Sequence, residues 1–377
     1  MMSAHFNILE VEPGPAGVQA ALTAIHELFE NDASVALINK GADPSPLNGH
    51  QPLRSGEAAL ILLTSGSTGN PRGVEISVTA LAESAAASAV HFGNQAVWLT
   101  ALPVTSMGGI NTVIRSALAG TAPVMWDGVG GAQTFIASEL VPFIEATIIS
   151  ARKQKLAAAA SFVPTQMHRL LNDAESANAL KELDYVLVGG GAMRERDREF
   201  AEQLGIRLVR TYGATETCGG CVYDGVPLEG VDIHLDETGR ITIQGPVLAH
   251  SYRDGESISL SGWHSADLGE IRNGVLHVTG RVDDQIKVAG YLVNLVNLAQ
   301  HALAVTGVTD AAAAGAEDVE YGYVPIVAYH GEVAPDAVEN ALRMTFDNRR
   351  IPLKVIQVAQ IPLLENGKPD RIKISQL

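Results

Sequence analysis

The stretch Leu62–Ser77, which reads LLTSGSTGNPRGVEIS, decides how the rest of this chain is interpreted. The apolar run Ala58–Thr64 predicts a buried strand that delivers a loop rich in glycine and hydroxyl side chains. Glycines permit backbone conformations in which amides converge on an anion, and hydroxyls are further donors for phosphate oxygens. We therefore predict phosphate contacts from a set of loop residues: Thr64, Ser65, Gly66, Ser67, Thr68 and Gly69.

Two other interpretations of this loop are weaker. A P-loop NTPase needs the motif G-x-x-x-x-G-K-[ST], and no Gly-Lys-Ser/Thr is present here. A Gly/Ser turn without a ligand is common in proteins, but TSGSTG followed by Pro-Arg-Gly is much more specific than a lone glycine run. The pattern favours phosphate binding.

A second cluster, TYGATETCGG, begins at Thr211. A strand is predicted to end at Tyr212, whose ring can stack on a nucleobase. Thr215 and Glu216 follow, and a carboxylate beside a triphosphate suits magnesium, which takes one or two protein oxygens plus phosphate oxygens. Taken alone, Glu216 would be interpreted as a solvated loop acid. The upstream run Gly189–Gly191 is either a turn at the end of a strand or a place where a flat adenine ring approaches.

The chain has 2 cysteines, Cys218 and Cys221, and they form a C-x-x-C pair. A structural zinc ion needs four ligands, and neither a second cysteine pair nor an H-x-x-x-H motif accompanies them. We interpret them as two reduced thiols that shape a loop. Two cysteines in a chain of 377 residues cannot form a disulfide framework, which indicates a reducing compartment.

Three later motifs gather charged side chains. GWHSADLGEI places Asp267 in a predicted tight turn, where its carboxylate is suited to accept both hydroxyl protons of a ribose. GRVDDQIKVAGY brings Arg281, Asp283 and Lys287 together in the sequence, and NGKPDR presents Lys368 on a turn. Any one of these motifs is compatible with chance, but their joint appearance in this order is not.

Composition excludes several classes of function. The chain is 46% hydrophobic and 18% charged, with a formal net charge of −16. This negative charge repels phosphate backbones and anionic lipid headgroups, so neither nucleic acid nor a membrane surface is an expected partner. The first residues lack the basic and apolar regions of a signal peptide, and no apolar run reaches the roughly 18 residues of a membrane span. We expect a cytoplasmic protein.

Apolar runs alternate with amphipathic stretches, which predicts an α/β protein. Short alternating segments from Asp232 onward predict a β-rich subdomain, and the tail beyond Asp284 predicts a small α+β domain. The predicted helices cover 74–90, 293–305 and 334–346, with another that starts at an N-cap at Thr165, and the predicted strands cover 96–102, 122–125, 146–150, 185–188, 207–211, 325–329 and 355–359. We place the domain boundary between 282 and 283, giving a large domain over 1–282 and a small one over 283–377.

Together these motifs resemble the adenylate-forming superfamily of acyl- and aryl-CoA synthetases, luciferases and peptide-synthetase adenylation domains. The resemblance covers residues 58–377 through TSGSTGNPRG, TYGATET, GWHSADLGE, GRVDDQIKVAG and NGKPDR. ASFVPTQMHRLL and YGATETCGGCVYDGVPLEGV look like the o-succinylbenzoate–CoA ligases of menaquinone biosynthesis, in particular the short actinobacterial type. The resemblance implies a large N-terminal domain with αβα layers and a β-rich subdomain, and a small mobile C-terminal domain.

The resemblance also implies a role for each matching residue. The pyrophosphate end of ATP would be held by Thr64, Ser65 and Thr68, beside Arg72 where many relatives carry lysine. The residues that would border adenine are Gly189, Gly190, Gly191, Tyr212 and Gly213; those at the α-phosphate and magnesium are Thr215 and Glu216; and those at the ribose are Asp267 and Arg281. Lys368 would bridge the acyl carboxylate and the α-phosphate, Asp283 would be the hinge, and Lys287 would lie on the face used for thioester formation.

We expect the acid to bind between the loop after Pro103 and the TYGATET segment. The candidates for contact with a second carboxylate of the acid are Ser106, Arg115, Thr165, Gly219 and Gly220. For Arg115 a charge on a helix surface is an equally weighted alternative, and His168 is interpreted as a packing residue.

The predicted activity is ligation of o-succinylbenzoate to coenzyme A through an acyl-AMP, dependent on ATP and magnesium. The alternatives are a ligase for another aryl, medium-chain or fatty acid, a peptide-synthetase domain, and a nucleotide-binding pseudoenzyme. Compact glycines after the TET segment favour a small polar acid, and retention of both Glu216 and Lys368 argues against a pseudoenzyme. The expected partners are small molecules, and a homodimer is left open.

Overall fold

The structure is a computed structural model, and it describes residues 5–64, 71–258, 262–282, 284–345, 352–363 and 369–377. The predicted positions outside the described residues are Ser65, Gly66, Ser67, Thr68, Gly69, Asp283 and Lys368. By internal packing the chain forms two compact units: Met1–His234 with Thr242–His264 and Asn273–Val275, and Leu235–Ile241 with Ser265–Arg272 and Leu276–Leu377. The boundary between 282 and 283 stays a prediction.

Strands and helices alternate along most of the described chain, and the predicted α/β class is confirmed. The strands are β1 (Asn7–Val11), β2 (Val35–Asn39), β3 (Ala59–Thr64), β4 (Arg72–Ser77), β5 (Ala96–Thr100), β6 (Val124–Met125), β7 (Ala157–Phe162), β8 (Tyr185–Val188), β9 (Leu208–Ala214), β10 (Gly219–Tyr223), β11 (Val226–Pro227), β12 (Asp232–Leu235), β13 (Arg240–Gln244), β14 (Ser251–Tyr252), β15 (Trp263–Arg272), β16 (Val275–Arg281), β17 (Gln285–Val288), β18 (Tyr291–Asn294), β19 (Val308–Asp318), β20 (Gly322–Gly331) and β21 (Lys354–Gln357). The helices are α1 (Pro15–Asn31), α2 (Val78–Phe92), α3 (Met107–Leu118), α4 (Val141–Gln154), α5 (Pro164–Leu171), α6 (Ala174–Leu180), α7 (Glu195–Gln203), α8 (Leu295–Leu303), α9 (Pro335–Thr345) and α10 (Arg371–Ser375). None of these helices is both long and apolar enough to cross a bilayer.

A seven-stranded sheet forms the centre of the first unit, in the order β11-β10-β9-β8-β7-β5-β6. Strands β5 to β9 are parallel to one another, whereas β10 runs antiparallel to β9. Strands β5 and β8 are buried along their whole length. This explains why they are nearly continuous apolar runs in the sequence rather than alternating ones.

A five-stranded sheet in the same unit has the order β1-β2-β3-β4-β14. β3 and β4 are antiparallel, with Thr64 opposite Arg72, and the glycine-rich stretch of the sequence lies between them along the chain. The helix predicted from residue 74 was therefore placed too early, because 72–77 form a strand with every residue after Arg72 buried. α2 starts only after Ser77, whose side chain accepts a hydrogen bond from the Ala80 N–H as an N-cap.

Three other local predictions were wrong. Residues 146–150 lie inside α4, where Ile144, Ile148 and Ala151 are buried at helical spacing. Thr165 is not the N-cap of α5; Pro164 occupies the first helical position, and the preceding residue is the cap. Asp267 lies in the middle of β15 rather than in a tight turn.

The second unit contains a three-stranded sheet in the order β19-β20-β21. One face packs with α8 and α9 around a cluster that includes Val327 and Tyr329, and the other packs with α10 around Ile326 and Ile374. The short segments predicted from Asp232 are strands, and β12, β13, β15 and β16 form a four-stranded sheet. The small α+β arrangement is as expected from the sequence, although the helix predicted from 293 begins at Leu295.

Candidate active site

The carboxyl edge of the parallel strands carries most of the predicted site residues of the first unit. Because β5, β7, β8 and β9 are parallel, the chain leaves all four strands at the same edge of the sheet, where open α/β sheets bind ligands. The predicted residues that follow these strands are Ser106 after β5, Thr165 after β7, Gly189–Gly191 after β8 and Thr215–Glu216 after β9. Ser106 and Thr165 are exposed at this edge.

The glycines at this edge are required by close packing. A Cβ at Gly189 would lie 2.3 Å from Thr211 Oγ1, and one at Gly220 would lie 2.7 Å from Thr211 Cβ. A Cβ added at Gly213 would lie 1.9 Å from the Gly219 carbonyl oxygen. These contacts explain Gly189, Gly213 and Gly220 without a ligand, whereas a Cβ at Gly191 would meet no atom closer than 3.8 Å. The expected place of these glycines beside adenine stays a prediction.

Helix α3 packs one of its faces against the turn that follows Glu216. Asn111 Nδ2 donates to the Cys218 carbonyl oxygen at 2.8 Å, and a Cβ at Gly219 would lie 2.5 Å from the same nitrogen. Gly219 also has a φ of +90°, which favours glycine. Arg115 lies one helical turn beyond Asn111 on this face, since residues four apart are neighbours on a helix.

Arg115 is buried, with 8% of its surface exposed, so the alternative of a charge on a helix surface is wrong. Its Nη2 donates to the Tyr223 hydroxyl at 3.1 Å, and its guanidinium lies 5.1 Å from the Trp98 ring centroid. Its Nε has no hydrogen-bond partner in the described structure, and no carboxylate of the described residues forms an ion pair with it. A buried guanidinium without a carboxylate partner is costly, and such a group attracts an anionic ligand.

Glu216 is buried where the two sheets of the first unit meet. Its Oε1 accepts a hydrogen bond from the Tyr252 hydroxyl at 2.8 Å, and its carbonyl oxygen accepts one from the Ala249 N–H at 2.8 Å. The interpretation as a solvated loop acid is therefore wrong, because 9% of the residue is exposed.

Arg72 extends from the hairpin strand β4 across the face of a tyrosine. Its guanidinium carbon lies 3.5 Å from the Tyr252 ring centroid, and its nitrogens pair with Asp254 and Glu256 at 2.7 Å. Burial lowers the pKa of the Arg72 guanidinium, but the hydrogen bonds and charges of Glu256 and Asp254 outweigh it, and the pKa lies above its ordinary value. Contact between Arg72 and pyrophosphate stays a prediction, and it would require this cation to exchange or share its carboxylate partners.

The donor set around Glu216 fits magnesium held partly by a nucleotide. Among the described residues, no group of three or more histidines, cysteines, aspartates or glutamates is placed to hold a metal ion. Magnesium does not need such a cage, because it is commonly bound through one or two carboxylates plus substrate phosphates. The buried Glu216 carboxylate is of the type that provides such a ligand, and its contact with magnesium stays a prediction.

The second unit brings the two predicted ribose residues together. Arg281 Nη1 donates to Asp267 Oδ1 at 3.0 Å, and the side chain of Asp267 is 15% exposed. Lys287 is exposed on β17, in a two-stranded hairpin with β18. Binding of ribose by the pair stays a prediction.

Sequence reasoning missed Tyr252 and a fully buried ion pair next to it. Arg253 and Glu75 form this pair at 2.7 Å, and both side chains are 0% exposed. The remaining donors of Arg253 reach the carbonyl oxygens of Leu47, Asn48, Gln51 and Pro52, and the other Glu75 oxygen accepts the N–H groups of Arg54 and Ser55. The available signal was a glutamate inside the apolar run GVEIS, because a carboxylate in a buried strand needs a partner.

A model of the family described as AMP-binding enzyme matches residues 14–252. The chain belongs to this family. It is similar to a Mycobacterium tuberculosis protein named "Probable 2-succinylbenzoate--CoA ligase", with 37% identity over 331 residues that cover 84% of this chain and 83% of that protein.

Two solved structures of o-succinylbenzoate CoA synthetase from Bacillus subtilis share the fold of this AMP-binding enzyme. The one in complex with the acyl-adenylate intermediate OSB-AMP has a TM-score of 0.77 and 20% identity, covering 99% of this chain and 88% of that chain. The one in complex with ATP and magnesium ion has a TM-score of 0.76 and 20% identity, covering 98% and 89%. The expected adenylate-forming fold is thus confirmed.

The two cysteines of the enzyme are free and buried. Burial raises the pKa of both thiols, to about 12 for Cys221, and it also raises that of Cys218 well above the ordinary value. Because thiolates rather than thiols react with alkylating reagents, we expect both groups to be unreactive in the folded state. Cys218 lies in the turn before β10, as the interpretation of a loop thiol requires, but Cys221 lies inside β10, so that interpretation is wrong for Cys221.

We expect neither thiol to react with iodoacetamide at pH 8 in the native protein, whereas both react after unfolding in urea. Mass spectrometry of the labelled protein measures this directly. Since unfolded thiols ionise near 9.0 and the native ones do not, the free energy of unfolding should fall as the pH rises above about 9. Rapid labelling of the native protein at pH 8 would contradict the burial of the pair.

Proposed function

We propose that this AMP-binding enzyme is a 2-succinylbenzoate–CoA ligase of menaquinone biosynthesis. It would use ATP, magnesium and coenzyme A, and release AMP and pyrophosphate. The identity to the Mycobacterium tuberculosis relative supports the substrate assignment. The structural observation that carries it is Arg115, a buried cation with no carboxylate partner in the described part of the chain.

The acid offers two carboxylates with different fates. One carboxylate reacts, and the other remains in the product. The retained carboxylate needs a cation that is not already paired with a carboxylate of the protein. Arg115 lies one helical turn beyond Asn111 on α3, and its buried, incompletely hydrogen-bonded guanidinium is the proposed partner of the second carboxylate. Ser106 at the start of α3 and Thr165 at the start of α5 are proposed at the same pocket.

The proposed reaction has two halves. In the first, a carboxylate oxygen of the acid attacks the α-phosphorus of ATP, and pyrophosphate leaves with the electron pair of the broken P–O bond. In the second, the thiol of coenzyme A attacks the acyl carbonyl carbon, loses its proton, and AMP leaves. The first half brings two anions together, so cationic groups that stabilise the growing charge lower its barrier.

The enzyme's own residues divide this work in the proposal. Glu216 holds magnesium, which neutralises phosphate charge, while Thr215 and Thr64 donate hydroxyl hydrogen bonds to phosphate oxygens. Tyr212 stacks on adenine, and Asp267 with Arg281 binds the ribose hydroxyls. Lys368 contributes the cation of the first half-reaction, and rotation about Asp283 replaces it with the face that carries Lys287.

A panel of acids tests the proposal. We expect AMP formation that depends on coenzyme A to be fastest with 2-succinylbenzoate, and the Arg115→Met variant to lose about 10- to 100-fold in kcat/KM, the value of a hydrogen bond to a charged group. An analogue that keeps the reacting aliphatic carboxylate but lacks the aromatic one, 3-benzoylpropionate, should react equally with wild type and variant. Thermal unfolding should be unchanged or improved in Arg115→Met, because the buried charge is removed.

Each other outcome identifies an alternative. A preference for benzoates or fatty acids without a second carboxylate would assign another acid–CoA ligase. Failure to release pyrophosphate with ATP and any acid, despite nucleotide binding, would indicate a pseudoenzyme. Equal loss of activity toward both substrate analogues in Arg115→Met would place Arg115 outside the acid pocket.

A further inference from the structure

Tyr252 joins two groups of the proposed nucleotide site. It lies on the two-residue strand β14 and is 8% exposed. Its hydroxyl donates to Glu216 Oε1 at 2.8 Å, and one face of its ring carries the Arg72 guanidinium at 3.5 Å. Trp263 Nε1 donates to the same hydroxyl oxygen at 3.4 Å. The phenol is therefore fixed from three sides.

We propose that Tyr252 is a positioning residue for adenylation, which orients the Glu216 carboxylate toward a magnesium-bound nucleotide and ties it to the glycine-rich hairpin through Arg72. The inference rests on the proposed function, because it assigns a residue to the magnesium site of that reaction. Tyr252 itself touches neither metal nor substrate in this proposal.

The geometry favours this arrangement because magnesium demands a near-ideal octahedral set of ligands. A carboxylate on a free side chain can rotate, and a hydrogen bond to one of its oxygens restricts that rotation. An ionised carboxylate has no proton to donate, so the Tyr252 hydroxyl is the donor in its hydrogen bond with Glu216.

The second half of the proposal follows from the partners of Arg72. Asp254 and Glu256, in the turn after β14, bind the guanidinium that rests on the ring. Arg72 begins β4, directly after the glycine-rich stretch, and its N–H donates to Thr64 Oγ1 at 3.3 Å across the hairpin. A shift of the hairpin therefore moves the group that stacks on Tyr252.

The test is the Tyr252→Phe variant, which removes the hydroxyl and keeps the ring. Calorimetric titration with ATP, with and without magnesium, separates metal binding from nucleotide binding. We expect the magnesium concentration for half-maximal ATP binding to rise about 10- to 100-fold, as for other groups that orient a metal ligand. Binding of ATP in EDTA should remain unchanged.

Tyr329→Phe is the matched control, because it removes a buried hydroxyl that donates to the Val333 carbonyl oxygen at 2.6 Å, far along the chain in the second unit. It should leave the magnesium dependence at the wild-type value. Comparable thermal unfolding midpoints for the two variants would exclude general destabilisation. In a Glu216→Gln background, Tyr252→Phe should have no further effect on magnesium dependence, because it acts through that carboxylate.

The outcomes separate this inference from the proposed function. Wild-type protein that binds magnesium and ATP, with an unchanged magnesium dependence in Tyr252→Phe, overturns the inference alone. An equal loss of ATP binding in EDTA also overturns it, since that result indicates a purely structural tyrosine. Wild-type protein that binds no ATP under any condition overturns the proposed function, and the inference with it.

Discussion

Replacing Lys368 with alanine is expected to slow acyl-adenylate formation about 10²–10³-fold, the usual effect of removing one preorganised charge-stabilising donor. Thioester formation from supplied acyl-AMP should be largely retained. This step does not bring a carboxylate and a phosphate together, so it does not need the cation of Lys368. Release of pyrophosphate measures the first step, and consumption of acyl-AMP with coenzyme A measures the second. Equal loss in both steps would contradict the proposed division of labour.

Two other lysines provide controls for this experiment. Lys287→Ala should show the opposite bias, with the thioester step more affected than adenylation. Lys354→Ala removes an exposed lysine on β21 and should change neither step. Lys368 lies outside the described residues, so its role stays a proposal that these assays test.

The largest effect on stability is expected from Arg253→Met. This change leaves the Glu75 carboxylate buried without its cation, and breaking such a pair costs roughly 3–5 kcal/mol. It also leaves backbone carbonyl oxygens between residues 47 and 52 without their donors. Urea unfolding of wild type and variant measures the difference in free energy.

Arg198→Met is the matched control, since Arg198 is a partly exposed arginine paired with Glu195 on α7. An exposed pair of this kind contributes at most about 1 kcal/mol. A double variant that also changes Glu75 to glutamine should recover part of the loss, because no charge then remains buried. If Arg253→Met and Arg198→Met lowered the free energy of unfolding by similar amounts, the buried ion pair would contribute no more to stability than an exposed one.

The sequence predicted the fold class and most elements because the patterns that specify them are local. β8 was predicted with its observed bounds, since four apolar residues followed by glycines leave little choice. Residues 146–150 were misjudged, because β-branched Thr147, Ile148 and Ile149 favour a strand, whereas the burial of one face at helical spacing determines the structure. Tertiary packing, which a short window does not contain, decided that element.

The site was predictable where one motif carries its chemistry and unpredictable where distant segments meet. TYGATET predicted Glu216 as a candidate, but its hydrogen-bond partner Tyr252 lies 36 positions later in a stretch with no motif of its own. Arg115 on α3 was also a candidate, yet its burial depends on Trp98 in β5 and Tyr223 in β10. Contacts of this kind become visible only once the sheets are assembled.

The antiparallel hairpin of β3 and β4 has a consequence for how such enzymes diversify. Because Thr64 lies opposite Arg72, the end of β3 and the start of β4 lie side by side. The register of the two strands is set by the paired residues 59–64 and 72–77, so it does not depend on the sequence between them. If the intervening residues contact the nucleotide, as proposed, then nucleotide binding and the folded scaffold are open to selection independently.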